Sequence, residues 1–271
     1  SKASFDPNLF VTGISYKDYG RLYSSKNKPL FDRVLRGQYP PGSTLKPFIG
    51  LAGLENNITH AHQTIFCPGY YRLPNKDHKY RDWKKWGHGK INLDDAITQS
   101  CDVYFYDLSL ALGIDKMSGF LHDFGFGQET GIDLKGEKSG LLPSREWKRI
   151  HREQVWYPGE TLITGIGQGF TQVTPLQLAR ATGTLAKQGQ IVTPYLAERI
   201  IYENRAVEIE RPAQNRIELK TGNIQEIINA MVHVVHSPRG TAKRIAKGID
   251  YQIAGKTGTA QVYTVKEDEE Y

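Results

Sequence analysis

The stretch Tyr39-Pro40-Pro41-Gly42-Ser43-Thr44-Leu45-Lys46-Pro47-Phe48 decides how this chain is read. Two prolines and a glycine force a turn, and an apolar run with helical spacing follows. Ser43 is thereby placed at a helix N-terminus. Lys46, three residues on, falls one turn below it on the same face. Free backbone N–H groups and the positive end of the helix dipole stabilise negative charge at such a position. An amine one turn away can serve as base toward the serine hydroxyl when burial lowers its pKa. Pro47 is tolerated because it lies in the first turn. Alone, Ser-x-x-Lys is a weak pattern that more often describes a capping serine and a surface lysine, so its meaning depends on the rest of the chain.

Two other stretches bear on it. In Ala254-Gly255-Lys256-Thr257-Gly258-Thr259-Ala260, period-2 alternation predicts part of a strand running from Tyr251 to Val262. Lys256 offers a cation, and Thr257 and Thr259 offer hydroxyls, a set suited to a carboxylate ligand. Gly258 removes a side chain where something must approach the backbone closely. Ser100-Cys101-Asp102 heads an apolar helix through Val103, Tyr106 and Leu110, where Ser and Asp would ordinarily be caps.

The chain has 271 residues, 39% apolar and 24% charged, which suits one large domain or two small ones. This composition excludes a disordered chain, a collagen-like chain and a disulfide-dense mini-protein. No apolar window is long enough to span a membrane. The net charge is +6. Basic residues crowd between Lys76 and Lys90 with Tyr80, Trp83 and Trp86 among them, a pattern used for single-stranded nucleic acid. A solvated loop with snorkelling lysines explains it as well, and no nucleic-acid partner is expected. Helices are predicted from Ser43, from Asp115, from Asn223 and from Thr174-Pro175, the last closed by Gly189. Leu196–Tyr202 and Ala206–Ile209, split by a turn at Glu203-Asn204, read as strands. Residues 125–172, rich in Gly, Pro and charge, read as long ordered loops. The mixed order without βαβ rhythm indicates an α+β fold with a helix-flanked antiparallel sheet.

The three motifs together are more specific than any one. Ser-x-x-Lys is followed by Ser-x-Asp 54 residues after Lys46, and Lys-Thr-Gly comes 154 residues after Asp102. This ordered triplet resembles the transpeptidase domain of class B penicillin-binding proteins. Within them it is most similar to the elongation type of Gram-negative bacteria, the penicillin-binding protein 2 group. Supporting strings are Ser4-Phe5-Asp6-Pro7-Asn8, Tyr80-Arg81-Asp82-Trp83-Lys84-Lys85-Trp86-Gly87-His88-Gly89, Gly131-Ile132-Asp133-Leu134, Gly165-Ile166-Gly167-Gln168-Gly169 and Gly240-Thr241-Ala242. The likeness covers the whole chain, residues 1–271, and the tryptophan-rich string is the most specific for the subtype.

The resemblance implies a penicillin-binding, serine β-lactamase-like fold, with an antiparallel sheet flanked by helices and an all-helical lobe. It implies a partial domain that lacks the first sheet strands and the last strands with the final helix. The implied activity is peptidoglycan D,D-transpeptidation in cell elongation, through an acyl-enzyme and open to inhibition by β-lactams. Ser43 would be the nucleophile and Lys46 its base. Ser100 would relay a proton, and Lys256 would support Ser100. Thr257, Gly258 and Thr259 would bind the donor peptide's carboxylate, and the N–H groups of Ser43 and Thr259 would form an oxyanion hole. The implied partners are stem peptides ending in D-Ala-D-Ala and a polytopic glycosyltransferase reached through an N-terminal region. The implied place is the periplasmic face of the inner membrane. The wider family has Ser-x-Asn where this chain has Ser100-x-Asp102. An amide can donate to substrate backbone and a carboxylate cannot, which leaves the partner of Asp102 open. A serine β-lactamase and a non-catalytic β-lactam sensor remain rival readings, but no residue suited to activating a deacylating water stands out.

Catalysis of this kind needs no cofactor. Cys67 and Cys101, the only cysteines, could pair as a disulfide, stay free, or join Asp82 and His88 as a closed tetrahedral set for structural zinc. Some elongation-type relatives are similar in carrying zinc in this loop, so a structural zinc is the expectation, with His62, Asp77 and His78 as rival ligands.

Overall fold

This computed structural model describes residues 4–203, 205–209 and 215–259. The first two helices, α1 (Tyr16–Ser24) and α2 (Arg33–Arg36), lead to α3 (Lys46–Glu55), in which every residue from Lys46 to Leu54 is buried. A helix without a polar face must be wrapped on all sides. Around it stand α4 (Leu93–Thr98), α5 (Asp102–Leu112), α6 (Ile114–Asp123) and α10 (Thr221–His236). Phe48 of α3 meets Phe124 and Phe126 edge to face, with ring centroids 5.3 and 5.2 Å away. α5 is nearly as enclosed as α3, and α8 (Pro158–Gly165) packs along it.

The sequence signals for helix ends hold well. α9 (Pro175–Ala186) begins with a reciprocal cap: Thr174 Oγ1 accepts from the Gln177 N–H at 3.1 Å, and Gln177 Oε1 accepts from the Thr174 N–H at 2.8 Å. The helices expected from Asp115 and Asn223 begin at Ile114 and Thr221. The stretch 125–172 departs from its reading as loops, because it contains α7 (Arg145–Arg152) and α8. Ser144 caps α7, and buried Lys148 crosses to α8, pairing with Glu160 and donating to the Val155 carbonyl at 2.8 Å. A charge pair, not an apolar stripe, joins these two helices, so hydrophobic periodicity could not show them.

Among the described residues the strands pair as three two-stranded antiparallel ribbons. β1 (Ile65–Cys67) pairs with β4 (Gly89–Ile91), β2 (Tyr70–Tyr71) with β3 (Tyr80–Arg81), and β5 (Arg199–Tyr202) with β6 (Arg205–Glu208). The last pair is the hairpin expected from sequence, though Asn204 at its turn lies outside the described residues. Tyr251–Thr259 is not a strand, because no described segment supplies the hydrogen-bond ladder that would make it one. Residues 260–262 of that expected strand lie outside the described residues. No described helix is long and apolar enough to cross a membrane.

Two bridges aim the turn that carries Ser43. Tyr39 pairs with Val173, and Leu141 with Gln172. The Gly42 N–H then donates to the Gly167 carbonyl at 2.8 Å.

Candidate active site

The turn before Ser43 needs a residue free of a Cβ. Gly42 has φ +56°, and a side chain there would run into the backbone of Thr259. The 256–259 segment is therefore seated directly on the Ser43 turn. Gly42–Leu45 forms a 3₁₀ turn, and α3 proper starts at Lys46, whose N–H donates to the Ser43 carbonyl. From that first helical position the Lys46 side chain runs inward and is wholly buried.

The Lys46 amine ends among three oxygens. It lies 2.8 Å from the Ser100 carbonyl, 2.7 Å from Asp102 Oδ1 and 3.3 Å from Ser100 Oγ, with the Phe105 ring face 5.5 Å away. Ser100 occupies the left-handed region at φ +58°, a strained conformation for a non-glycine residue. That conformation turns both its carbonyl and its hydroxyl toward the lysines. On the other side, Lys256 Nζ lies 2.8 Å from Ser100 Oγ, 3.1 Å from the Thr257 carbonyl and 3.4 Å from Thr257 Oγ1. Burial pushes Lys256 down to about 7, the Lys46 cation acts in the same direction, and Asp102 opposes both. The three motifs thus meet around Ser100.

Asp102 is held from two sides. Its Oδ1 takes the Lys46 amine, and its Oδ2 accepts the Trp83 N–H at 3.2 Å. The Trp83 indole donates to the Gln99 carbonyl at 3.1 Å. The carboxylate at the middle motif therefore binds the lysine of the first, a contact the sequence left open. Thr241, whose Oγ1 lies 2.8 Å from Thr257 Oγ1, also borders the site; its string was legible, but nothing in it signalled this contact.

A second cluster lies behind the first. Cys67, Asp82, His88 and Cys101 each offer a ligand atom, all within 4.8 Å of one another. His62, Asp77 and His78 are not part of it. Both cysteines are free and buried, so the disulfide is absent. Asp82 Oδ2 accepts the Asp102 and Val103 N–H groups at 2.8 and 3.1 Å and the Cys101 thiol at 3.2 Å, so it caps α5 from 20 residues upstream. His88 Nδ1 faces Cys67 Sγ at 3.5 Å, while its buried Nε2 has no partner. A hydrogen bond from Cys101 holds the Cys67 thiol down to about 5, and burial pushes Cys101 up.

Comparison with known proteins gives the family of the chain. The profile of the penicillin binding protein transpeptidase domain matches residues 1–271. The peptidoglycan D,D-transpeptidase MrdA of Haemophilus influenzae is 42% identical over all of this chain, which spans 42% of that protein. MrdA of Acinetobacter baumannii is 44% identical, and the chain spans 40% of it. The chain is thus less than half the length of these curated relatives. Among solved structures, PBP2 of Pseudomonas aeruginosa, in complex with WCK 5153, superposes with a TM-score of 0.91 at 50% identity. That match covers 97% of this chain and 59% of the other. PBP2 of Helicobacter pylori, solved in complex with MreC, gives 0.81 at 38% identity, covering 92% of this chain and 45% of that one.

Proposed function

Because this chain belongs to the penicillin-binding protein transpeptidase family, we propose that it is the acyl-transferring part of a peptidoglycan D,D-transpeptidase of the elongation type. One observation carries the reading: Lys46, Ser100 and Lys256, from motifs far apart in sequence, share a hydrogen-bonded cluster beside the turn that presents Ser43. Ser43 attacks the penultimate D-Ala carbonyl of a stem peptide, D-Ala leaves, and the acyl group passes to an amine on a neighbouring stem. Thr257 and Thr259 receive the donor's terminal carboxylate, and Gly258 lets that segment lie against the nucleophile's turn. The N–H groups of Ser43 and Thr259 stabilise the tetrahedral oxyanion, since the backbone of Thr259 lies against Gly42. β-Lactams acylate the same serine.

The protein works at the periplasmic face of the inner membrane, with a polytopic glycosyltransferase as partner. A peptidoglycan substrate, as the relatives' name gives it, fits this placement, and the H. pylori PBP2–MreC complex shows that a similar chain assembles with a second protein.

Cys67, Asp82, His88 and Cys101 suit structural zinc. Two thiols, an imidazole and a carboxylate, with donor atoms within 4.8 Å of one another, are the ligand types that structural zinc takes. A bound zinc would brace the Asp82 cap of α5 and hence Asp102, and four protein ligands would leave no position for a reacting water.

Mass spectrometry of the complete protein after incubation with a penicillin tests the assignment. A lasting adduct on the peptide containing Ser43, absent from Ser43→Ala, is expected. Rapid turnover of the penicillin would instead indicate a β-lactamase. An adduct with no transfer from lipid-linked substrate to an acceptor amine would indicate a sensor.

A further inference from the structure

The string Gly240-Thr241-Ala242 follows α10, and its threonine belongs to none of the three motifs. The fold nevertheless sets it between two of them. Backbone bonds pin the turn that carries it. The Ser237 N–H donates to the His233 carbonyl at 3.0 Å, the Gly240 N–H to the Ser237 carbonyl at 2.9 Å, and the Ala242 N–H to the Val234 carbonyl at 2.9 Å. A Cβ at position 240 would run into the His233 and Val234 carbonyls, so the chain returns close against the helix end. Ala242 is buried beneath the turn. Arg239 pairs with Asp95 of α4 at 2.7 Å, and the Thr241 N–H donates to the Thr98 carbonyl at 3.2 Å. The backbone of Thr241 is thus moored to the end of α4, two residues before Ser100. Its side chain reaches the last motif, with Oγ1 2.8 Å from Thr257 Oγ1. Thr241 is exposed and Thr257 half-buried, so the pair opens to solvent.

A hydroxyl has one proton to give and two lone pairs with which to accept. In a touching pair of hydroxyls one proton is spent on the other oxygen and one stays free. A carboxylate only accepts, so its affinity depends on which proton is free and where it points. Lys256 Nζ lies 3.4 Å from Thr257 Oγ1 and offers N–H to it. With the Lys256 amine on one side and Thr241 on the other, the Thr257 oxygen can accept from both and keep its own proton for a ligand. We propose that Thr241 is a positioning residue for the donor's terminal carboxylate: its hydroxyl donates to Thr257 Oγ1 and so leaves the Thr257 proton to the ligand. This rests on the reading of Thr257 as a carboxylate ligand. Thr241 acts through Thr257 and need not touch the substrate, and no covalent bond changes in this role.

The test uses the complete protein and two penicillins that differ only at the carboxylate, the free acid and its methyl ester. Adduct formation followed by intact-mass spectrometry gives the second-order rate of acylation for each, and the acid-to-ester ratio measures what the carboxylate contributes. Thr241→Val keeps the branched shape and the N–H to Thr98 but loses the hydroxyl. It is expected to lower that ratio about tenfold, the worth of one hydrogen bond to a charged group. Thr241→Ser keeps the hydroxyl and should hold the ratio within about threefold of the original. Thr241→Ala, at an exposed position, is a second hydroxyl-free variant with the same expected fall should the valine protein not fold. Thr257→Val should lower the ratio at least as far, and adding Thr241→Val to it should lower it no further, because the two hydroxyls act as one unit. A hydroxyl-free variant at 241 that keeps the ratio, or that slows acid and ester alike, overturns the proposal, since the residue would then only support its turn. Losses that multiply in the double variant overturn it too. A Thr257→Val protein with an unchanged ratio is a different failure, since it removes the carboxylate reading of Thr257 together with this one.

Discussion

Gly258→Ala tests whether the Lys256–Thr259 segment and the Ser43 turn are packed to contact. A Cβ at position 258 would stand 2.6 Å from Thr44 Cγ2, with the Pro41 carbonyl oxygen at 3.2 Å and the Thr44 nitrogen at 3.4 Å. Ordinary contact begins near 3.4 Å, so the methyl needs about 0.8 Å more room. Thr44 could rotate, but its χ1 is stiff, and its hydroxyl donates to the Pro41 carbonyl at 2.7 Å. Rotation would forfeit that bond, about 1 kcal/mol, and would still leave the two backbone atoms at the contact limit. The alternative is for the segment to move away from the turn. Displacements of about 1 Å in a catalytic constellation cost on the order of 100-fold in rate. Gly258→Ala is therefore expected to acylate with a fluorescent penicillin about 30- to 100-fold more slowly, while losing no more than about 2 kcal/mol of stability. Thr44→Ser in the same chain removes Cγ2 and keeps the hydroxyl, and is expected to restore the rate to within about fivefold of the unaltered protein. Stopped-flow acylation and thermal melting of all three variants decide the matter. An alanine variant within threefold of the original, or a Thr44→Ser change that restores nothing, refutes the packing argument.

Other expectations follow from buried polar groups. Lys148→Ala takes the buried partner away from half-buried Glu160 between α7 and α8, and should lower stability by about 1–3 kcal/mol in denaturant unfolding. Asp82→Ala strips two N–H groups at the start of α5 of their acceptor. It should cost about 3 kcal/mol and lower the melting temperature by roughly 10 °C, with slower acylation because Asp102 loses its mooring. If the four-residue cluster holds zinc, metal analysis should give one equivalent per chain. A chelator that removes it should lower the melting temperature without adding a pH limb to acylation; an unchanged melting curve with no metal present would discard that site.

How far the sequence could be read follows from which force fixes each part. Where hydrophobic burial decides, the reading was sound: the apolar runs after Ser43 and Asp102 and the caps of α9 became helices where expected. Ser43 and Lys46 were legible together because one turn of backbone separates them. Where charge pairing decides, the sequence was silent. The α7 segment carries six charged or histidine residues in eight, and its single buried anchor is a lysine. Asp102 illustrates the same limit at the active site, for its partner lies 56 positions away and no periodicity links them. The Asp82 cap was equally hidden, being supplied from another loop. These silent contacts form one line: Asp82 holds the backbone of Asp102, the Asp102 carboxylate holds Lys46, and Lys256 reaches Ser100 from the other side. The motif order identifies which groups gather in the cleft. The contacts among carboxylates and amines fix how those groups are turned toward Ser100, and they can be argued only once the distances are known.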